Sequence, residues 1–184
     1  MSTRKAKMST RSWTRDNFLI STDPTLLPIS TLVDVFGSDD FYWAKSIAPD
    51  VMQEMINNSL CFGLFESSNP KLEIRHGSEH KLVGFARSVT DFVTFAYITD
   101  VWVDSARQGE GLGSWLIQCV QEVVEDMPDL RRSLLFTADW SRSVPFYEKL
   151  MGMRIMENNQ GQGLAIMEKK GRGHPSYGKD GSGY

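Results

Sequence analysis

The run Gln108-Gly109-Glu110-Gly111-Leu112-Gly113-Ser114 puts a glycine at every second position directly before an amphipathic stretch. A turn of this composition at a helix start leaves main-chain N–H groups without acceptors. Together with the positive end of the helix dipole, such groups favour an anion such as phosphate. The glycines let a ligand approach the backbone closely. Spacing then separates the options. A Walker loop ends in Gly-Lys-Ser/Thr, whereas Gly113-Ser114-Trp115 supplies no lysine. A dinucleotide fingerprint requires glycine where Ser114 stands, and an early strand of a parallel βαβ unit before it. A tight strand-to-helix turn that binds nothing is the third option.

Other residue types carry proton chemistry. Asp100 is the carboxylate inside the apolar run that leads to the glycine turn, which makes it a candidate base or ammonium ligand. By strict alternation it points opposite Tyr97, Thr99 and Val101. A buried, hydrogen-bonded structural aspartate is the competing reading. Asp104 suits a role in organising the turn that follows. The Tyr147 phenol is a candidate acid, against the plainer reading of a half-buried helix aromatic. Phe41-Tyr42-Trp43 is an aromatic cluster for which core packing is the simpler account. His76 and His80 fall in an expected loop and His174 in an expected tail, so no essential histidine is anticipated. Cys61 and Cys119 have apolar neighbours and read as buried free thiols, and no metal site is expected.

The elements that position these residues follow from periodicity. Asn17 to Thr22 reads as a first strand, closed by Asp23-Pro24. Residues 28–37 have helical spacing with Gly37 as a stop, and Ala48-Pro49-Asp50 opens a second helix. Leu60 to Phe65 is a buried strand, residues 66–80 a long hairpin loop, and Lys81 to Val89 and Phe92 to Val103 further strands. From Leu112 the apolar residues recur at Trp115, Leu116, Cys119, Val120, Val123, Val124 and Met127, one face of a helix. Ser133 to Thr137 is another strand, Val144 to Leu150 a short helix stopped by Gly152, and Arg154–Met156 with Leu164–Met167 a final hairpin.

The chain has 184 residues and 41% hydrophobic content, enough for a single domain with a core that needs no staples. Residues 1–15 read as a flexible basic tail, 16–170 as the domain and 171–184 as a flexible Gly-rich tail. A net charge of −3 argues against a nucleic-acid partner. The chain shows no apolar run that spans a bilayer and no signal segment, so a cytoplasmic location is expected, with the nucleus also open. The predicted class is α+β, a mixed and mostly antiparallel sheet of about six to seven strands flanked by about four helices.

Gln108-x-x-Gly111-x-Gly113, with Val103-Asp104 before it, resembles the Arg/Gln-x-x-Gly-x-Gly/Ala signature of the GNAT acetyltransferases. Val144-Pro145-Phe146-Tyr147-Glu148-Lys149-Leu150-Met151-Gly152-Met153 resembles that family's later Tyr-Glu-Lys-Leu-Gly-Phe segment, with Met151 inserted before the glycine. The resemblance runs from about Phe18 to Lys169 on the order of elements. It implies the GNAT fold and transfer of an acetyl group from acetyl-CoA to a primary amine, a small molecule or a peptide amine, by direct attack in a ternary complex. Another acyl donor, or a CoA-binding module without catalysis, is the alternative. By motif position it implies that the backbone of Val101 and Val103 holds the pantetheine arm and polarises the thioester. Gln108, Gly109, Glu110, Gly111, Leu112, Gly113 and Ser114 would hold the pyrophosphate. Tyr147 would protonate the leaving thiolate. Asp100 is assigned as base, re-aimed by the β-bulge this family has in that strand. Tyr42, Trp43, Tyr97 and Thr99 would line the acceptor pocket. Where the family often has a CoA-binding asparagine this chain has Trp140, leaving Ser141 or Ser143 as substitutes, of which Ser143 is assigned. A homodimer is compatible with the family's habits.

Overall fold

A computed structural model describes residues 3–41, 43–67 and 80–156. Strands β1 (Ser12–Arg15), β2 (Phe18–Ser21), β3 (Leu60–Ser67), β4 (His80–Thr90), β5 (Phe95–Val103) and β6 (Arg132–Leu134) lie side by side in chain order. Neighbours pair antiparallel except β5 and β6, which run parallel. The helices are α1 (Thr3–Met8), α2 (Ile29–Phe36), α3 (Pro49–Asn57), α4 (Leu112–Glu125) and α5 (Ser143–Met151). This is the expected α+β class, with six strands and five helices among the described residues.

Each face of the sheet carries its own core. Leu60, Phe62 and Leu64 point to one side, where they pack with Ile98, Leu112, Leu116 and Val120 under α4 and α5. Cys61 and Phe65 point to the other, where they meet Leu32 and Phe36 of α2 and Met52 and Ile56 of α3. The period-2 alternation of β3 is therefore apolar on both faces, which is why it reads as a continuous hydrophobic run. In α4 the apolar stripe faces the sheet, so burial rather than helix propensity holds it there. Pro49 occupies the first helical turn of α3, and Gly152, at φ 62°, ends α5 in the left-handed conformation.

The structure corrects three expectations. Residues 3–15 are not a free tail. Met8 is buried in the α4-side core, and Ser12–Arg15 form an edge strand on Phe18–Ser21 through a tight turn at Asp16-Asn17. The basic side chains meet acidic residues at and just beyond the C-terminal end of α4: Arg11 pairs with Glu122 and Asp126, Arg4 with Asp129, and Trp13 Nε1 donates to Glu122 at 2.9 Å. Apolar anchoring plus this charge match ties the segment down. Next, β3 and β4 run longer than expected. Ser67 and His80 pair at their ends, so His80 opens a strand rather than lying in a loop. Finally, β6 stops at Leu134, and Arg154–Met156 are not a strand. Leu164–Met167, the Gly-rich segment 171–184, Tyr42, His76 and His174 lie outside the described residues.

Candidate active site

The glycine turn leaves β5 and enters α4. Asp104 accepts from Ala106 N at 3.0 Å and from Lys81 Nζ at 2.9 Å, and its own amide donates to Val83 O at 2.8 Å, which fixes the strand end. These contacts hold the Asp104 carboxyl below its ordinary range, chiefly through Lys81 and then Ala106 N–H. Gly109 and Gly111 then take φ values of 88° and 74°. Gly111 is the left-handed N-cap of α4, and its carbonyl accepts the first helical bond, from Trp115 N. A Cβ built on Gly109 or Gly111 meets nothing within 4 Å. Backbone conformation, not crowding, demands glycine at both positions.

None of the amides from Gly109 to Ser114 donates to an acceptor among the described residues. They gather at a 14-residue helix N-terminus, which makes the turn an anion-binding geometry. Gln108 folds back instead, its Nε2 donating to Val103 O at 3.4 Å. Glu110 is exposed, and its side chain pairs with Arg107 at 3.6 Å. Arg107 is also held by both oxygens of Glu66, at 2.7 and 2.8 Å, which raises its pKa further. Arg15 of β1 reaches Glu110 O at 3.2 Å and lies 5.0 Å over the Trp115 ring. Sequence reading missed Arg15. The signal was present: a Ser12-Trp13-Thr14-Arg15 segment separated from Phe18-Leu19-Ile20-Ser21 by the turn-forming pair Asp16-Asn17.

Strand β5 carries the second feature. Its parallel pairing with β6 covers only Phe95, Ala96 and Tyr97. From Ile98 to Val103 the edge away from β4 has no strand partner among the described residues. That edge can accept an extended ligand as a strand would. Here β5 also carries an extra residue. Arg87 pairs with Thr99 and Phe85 with Trp102, so three steps on β5 match two on β4, and Asp100 within the interval has φ 53°. This is the expected β-bulge. It reverses the parity of the strand. Ala96 and Ile98 face the α4 side, whereas beyond the bulge Val101 and Val103 do, and Trp102 faces α2 and α3.

The bulge brings Thr99 and Asp100 into one polar cluster beneath the α2–α3 connection. Asp100 Oδ2 accepts from Arg87 Nε at 2.6 Å, and Oδ1 accepts from Trp43 Nε1 at 3.4 Å and Thr99 Oγ1 at 3.3 Å. Arg87 Nη1 donates to Ser59 Oγ at 3.1 Å. Only 6% of the Asp100 side chain and 16% of the Arg87 side chain are exposed. Both Asp100 oxygens are thus engaged, the geometry of the buried, hydrogen-bonded structural aspartate that the sequence set beside the base reading. Arg87 went unnoticed in the sequence because its strand reads as an ordinary apolar run. A charge at an inward position of that run was the available clue.

The remaining expected residues separate. Trp43 joins the Asp100 cluster, while Phe41 is 1% exposed, stacked on Phe36 and in tilted ring contact with Trp43, hence core. Tyr97 lies 5.4 Å from the Phe136 ring, beside the end of β6. Tyr147 sits on α5 against the other core, half-buried, its hydroxyl without a partner among the described residues. Burial pushes its phenol up to about 12. Ser143 opens α5 and uses its amide on Asp139 O at 3.1 Å, so only its hydroxyl is left for a ligand. Asp139 also caps Ser141 and Arg142, and Trp140 projects outward at 67% exposure. Among the described residues no group of three or more His, Cys, Asp or Glu could hold a metal ion. No helix among them is long and apolar enough to cross a membrane.

Comparison with known proteins agrees with the family that the two sequence motifs imply. The model of the acetyltransferase (GNAT) family matches residues 38–153. A curated protein from Gibberella zeae, named as a candidate acetyltransferase, is 33% identical over 174 residues, covering 89% of this chain and 96% of its own length. The crystal structure of a candidate GNAT-family acetyltransferase from Xanthomonas campestris is 30% identical and superposes with a TM-score of 0.57, over 80% of this chain and 96% of that one. A GNAT-family protein from Streptococcus pneumoniae, 18% identical with a TM-score of 0.55 over 83% of this chain and 99% of that one, shares the fold. The chain belongs to the GNAT acetyltransferase family, and its chemistry is acyl transfer.

Proposed function

We propose that the protein is an N-acetyltransferase that moves an acetyl group from acetyl-CoA to a primary amine by direct attack in a ternary complex. The observation that carries this reading is the row of amides from Gly109 to Ser114 that meet no acceptor among the described residues, at the end of a strand whose outer edge beyond Tyr97 has no strand partner among them. In this reading the turn holds the pyrophosphate. The open edge at Val101 and Val103 pairs with the pantetheine arm, and a main-chain N–H there stabilises charge developing on the thioester oxygen.

The amine nitrogen bonds to the carbonyl carbon, the C–S bond breaks, and the thiolate takes a proton from the Tyr147 hydroxyl, which regains one from solvent. A phenol raised to about 12 is fully protonated at neutral pH, as a donor must be. The attacking amine sheds its proton to water, since the Asp100 carboxylate is already paired. The acceptor approaches from the side of Trp43 and Thr99, while Tyr147 belongs to the opposite face of the sheet, so the open strand edge lies between them.

Titration calorimetry with acetyl-CoA, followed by thiol release across a panel of small amines and peptide N-termini, tests the reading. Saturable acetyl-CoA binding and acceptor-dependent thiol release are expected. Absence of binding would overturn the proposal. Binding without release for any acceptor would leave a CoA-binding module.

A further inference from the structure

Asp100 and Arg87 remain to be explained. A buried ion pair is rarely justified by stability alone, because removing two charges from water costs about as much as their attraction returns. This one sits at a conformationally demanding point. Asp100 has a Cβ and yet holds φ 53°, a region that costs a residue with a side chain. It does so in the middle of a strand, where the extra residue interrupts the ladder between Phe85 and Arg87 of β4.

What holds it there is visible. The carboxylate is fastened from three elements at once: by Arg87 of β4, by Thr99 of β5 itself, and by Trp43 from the α2–α3 connection. Arg87 is in turn fastened to Ser59, just before β3. The chain of contacts ties the bulge to the rigid centre of the sheet.

The consequence falls on the next residues. The bulge reverses the side-chain parity of β5, so Val101 and Val103 pack toward α4 only because Asp100 is left-handed. Main-chain groups rotate with the side chains. The direction of the N–H groups along Val101–Val103, on the stretch without an outer strand partner among the described residues, is thus set by the Asp100 conformation.

We propose that Arg87 and Asp100 are positioning residues: the ion pair locks the β5 bulge and so aims a main-chain donor of the Val101–Val103 segment at the acyl carbonyl. This rests on the acetyl-CoA reading above. It gives Asp100 a conformational task rather than a proton-transfer one. A base requires the carboxylate, whereas the aim of Val101–Val103 requires that residue 100 stay left-handed, which the ion pair enforces on a residue with a Cβ and which glycine adopts without it.

The test compares R87M/D100G with R87M/D100A. Both lack the two charges and differ only in their tolerance of positive φ. Asp100→Asn is a third variant that retains an acceptor for Arg87. The probe is acetyl-CoA labelled with 13C at the acetyl carbonyl, read by isotope-edited infrared difference spectroscopy, with affinity measured by calorimetry. The wild type is expected to shift the bound carbonyl band to lower frequency, and R87M/D100G and D100N keep that shift. In R87M/D100A the band returns toward its free position, and turnover with the best amine of the panel falls about 5- to 30-fold below R87M/D100G, the cost of a left-handed alanine. Acetyl-CoA affinity stays within about threefold in R87M/D100G and D100N, and weakens in R87M/D100A while remaining measurable, since the 109–114 turn is untouched but the Val101–Val103 edge that meets the pantetheine arm is displaced. A merely structural pair would shift melting temperature without moving the band. Equal bands in the glycine and alanine variants, or loss of the shift in D100N, overturns the proposal while leaving acetyl-CoA binding intact. Failure of the wild type to bind acetyl-CoA overturns the underlying reading instead.

Discussion

Replacing Gly111 and Gly113 separately by alanine probes the turn most directly, because the structure assigns the two glycines opposite consequences. Gly111 has φ 74°, and a Cβ there meets nothing within 4 Å, so the cost is purely conformational. A left-handed residue with a side chain costs about 1–2 kcal/mol. For a domain of this size each kcal/mol corresponds to about 2–4 °C, so Gly111→Ala is expected to lower the melting temperature by about 2–8 °C. The φ at Gly113 is not positive, and an added Cβ would lie 3.7 Å from Val103 Cγ2, an ordinary contact. There alanine restricts the unfolded chain and stabilises by about 0.4–1 kcal/mol, raising the melting temperature by about 1–4 °C. Thermal unfolding followed by circular dichroism, with and without acetyl-CoA, reads both effects. At a hundredfold excess over Kd the ligand adds about 2.7 kcal/mol to the wild type, or about 5–11 °C. Gly113→Ala keeps that increment. Gly111→Ala loses part of it, because the new methyl group stands in the open space beside the amides. Shifts of the same sign for the two apo variants would refute the conformational argument. A full ligand increment in Gly111→Ala would refute the claim that this turn is the grip.

Tyr147→Phe is expected to reduce kcat at least tenfold, with acetyl-CoA affinity within about twofold of wild type by calorimetry; unchanged kcat would end the acid role. The same phenol bears on alkaline stability. Its folded pKa of about 12 exceeds the ordinary value of 10.0, so folding favours the neutral form, and stability present below pH 10 is lost as pH rises to 12. Denaturant titrations should therefore show a shallower decline over that window in Tyr147→Phe than in wild type. Burial likewise pushes the thiols of Cys61 and Cys119 up to about 12, so a maleimide should label neither in the native protein and both in denaturant. Arg87→Met leaves the buried Asp100 carboxylate without its guanidinium and should cost about 3–5 kcal/mol by urea denaturation, most of it recovered in R87M/D100N.

Much of this protein is written in short-range pattern. The glycine spacing from Gly109 to Gly113, the 3.6-residue stripe that follows it and the alternation in β3 and β4 are local signals, because side-chain direction in a helix or strand depends on position along one element. They were enough to place the fold, the turn and Tyr147. The tertiary structure decided what depends on partners distant in the chain. Arg11 and Trp13 find Glu122 and Asp126 more than a hundred residues away, which turns an apparent tail into an edge strand that delivers Arg15 to the turn. The extra residue at Asp100 shows only against the register of β4, so no reading of β5 alone reveals that its parity reverses there. The pairing of Arg87 with Asp100 follows from that register. Charge neutralisation inside a core is a property of two chain segments together, and neither segment announces it alone.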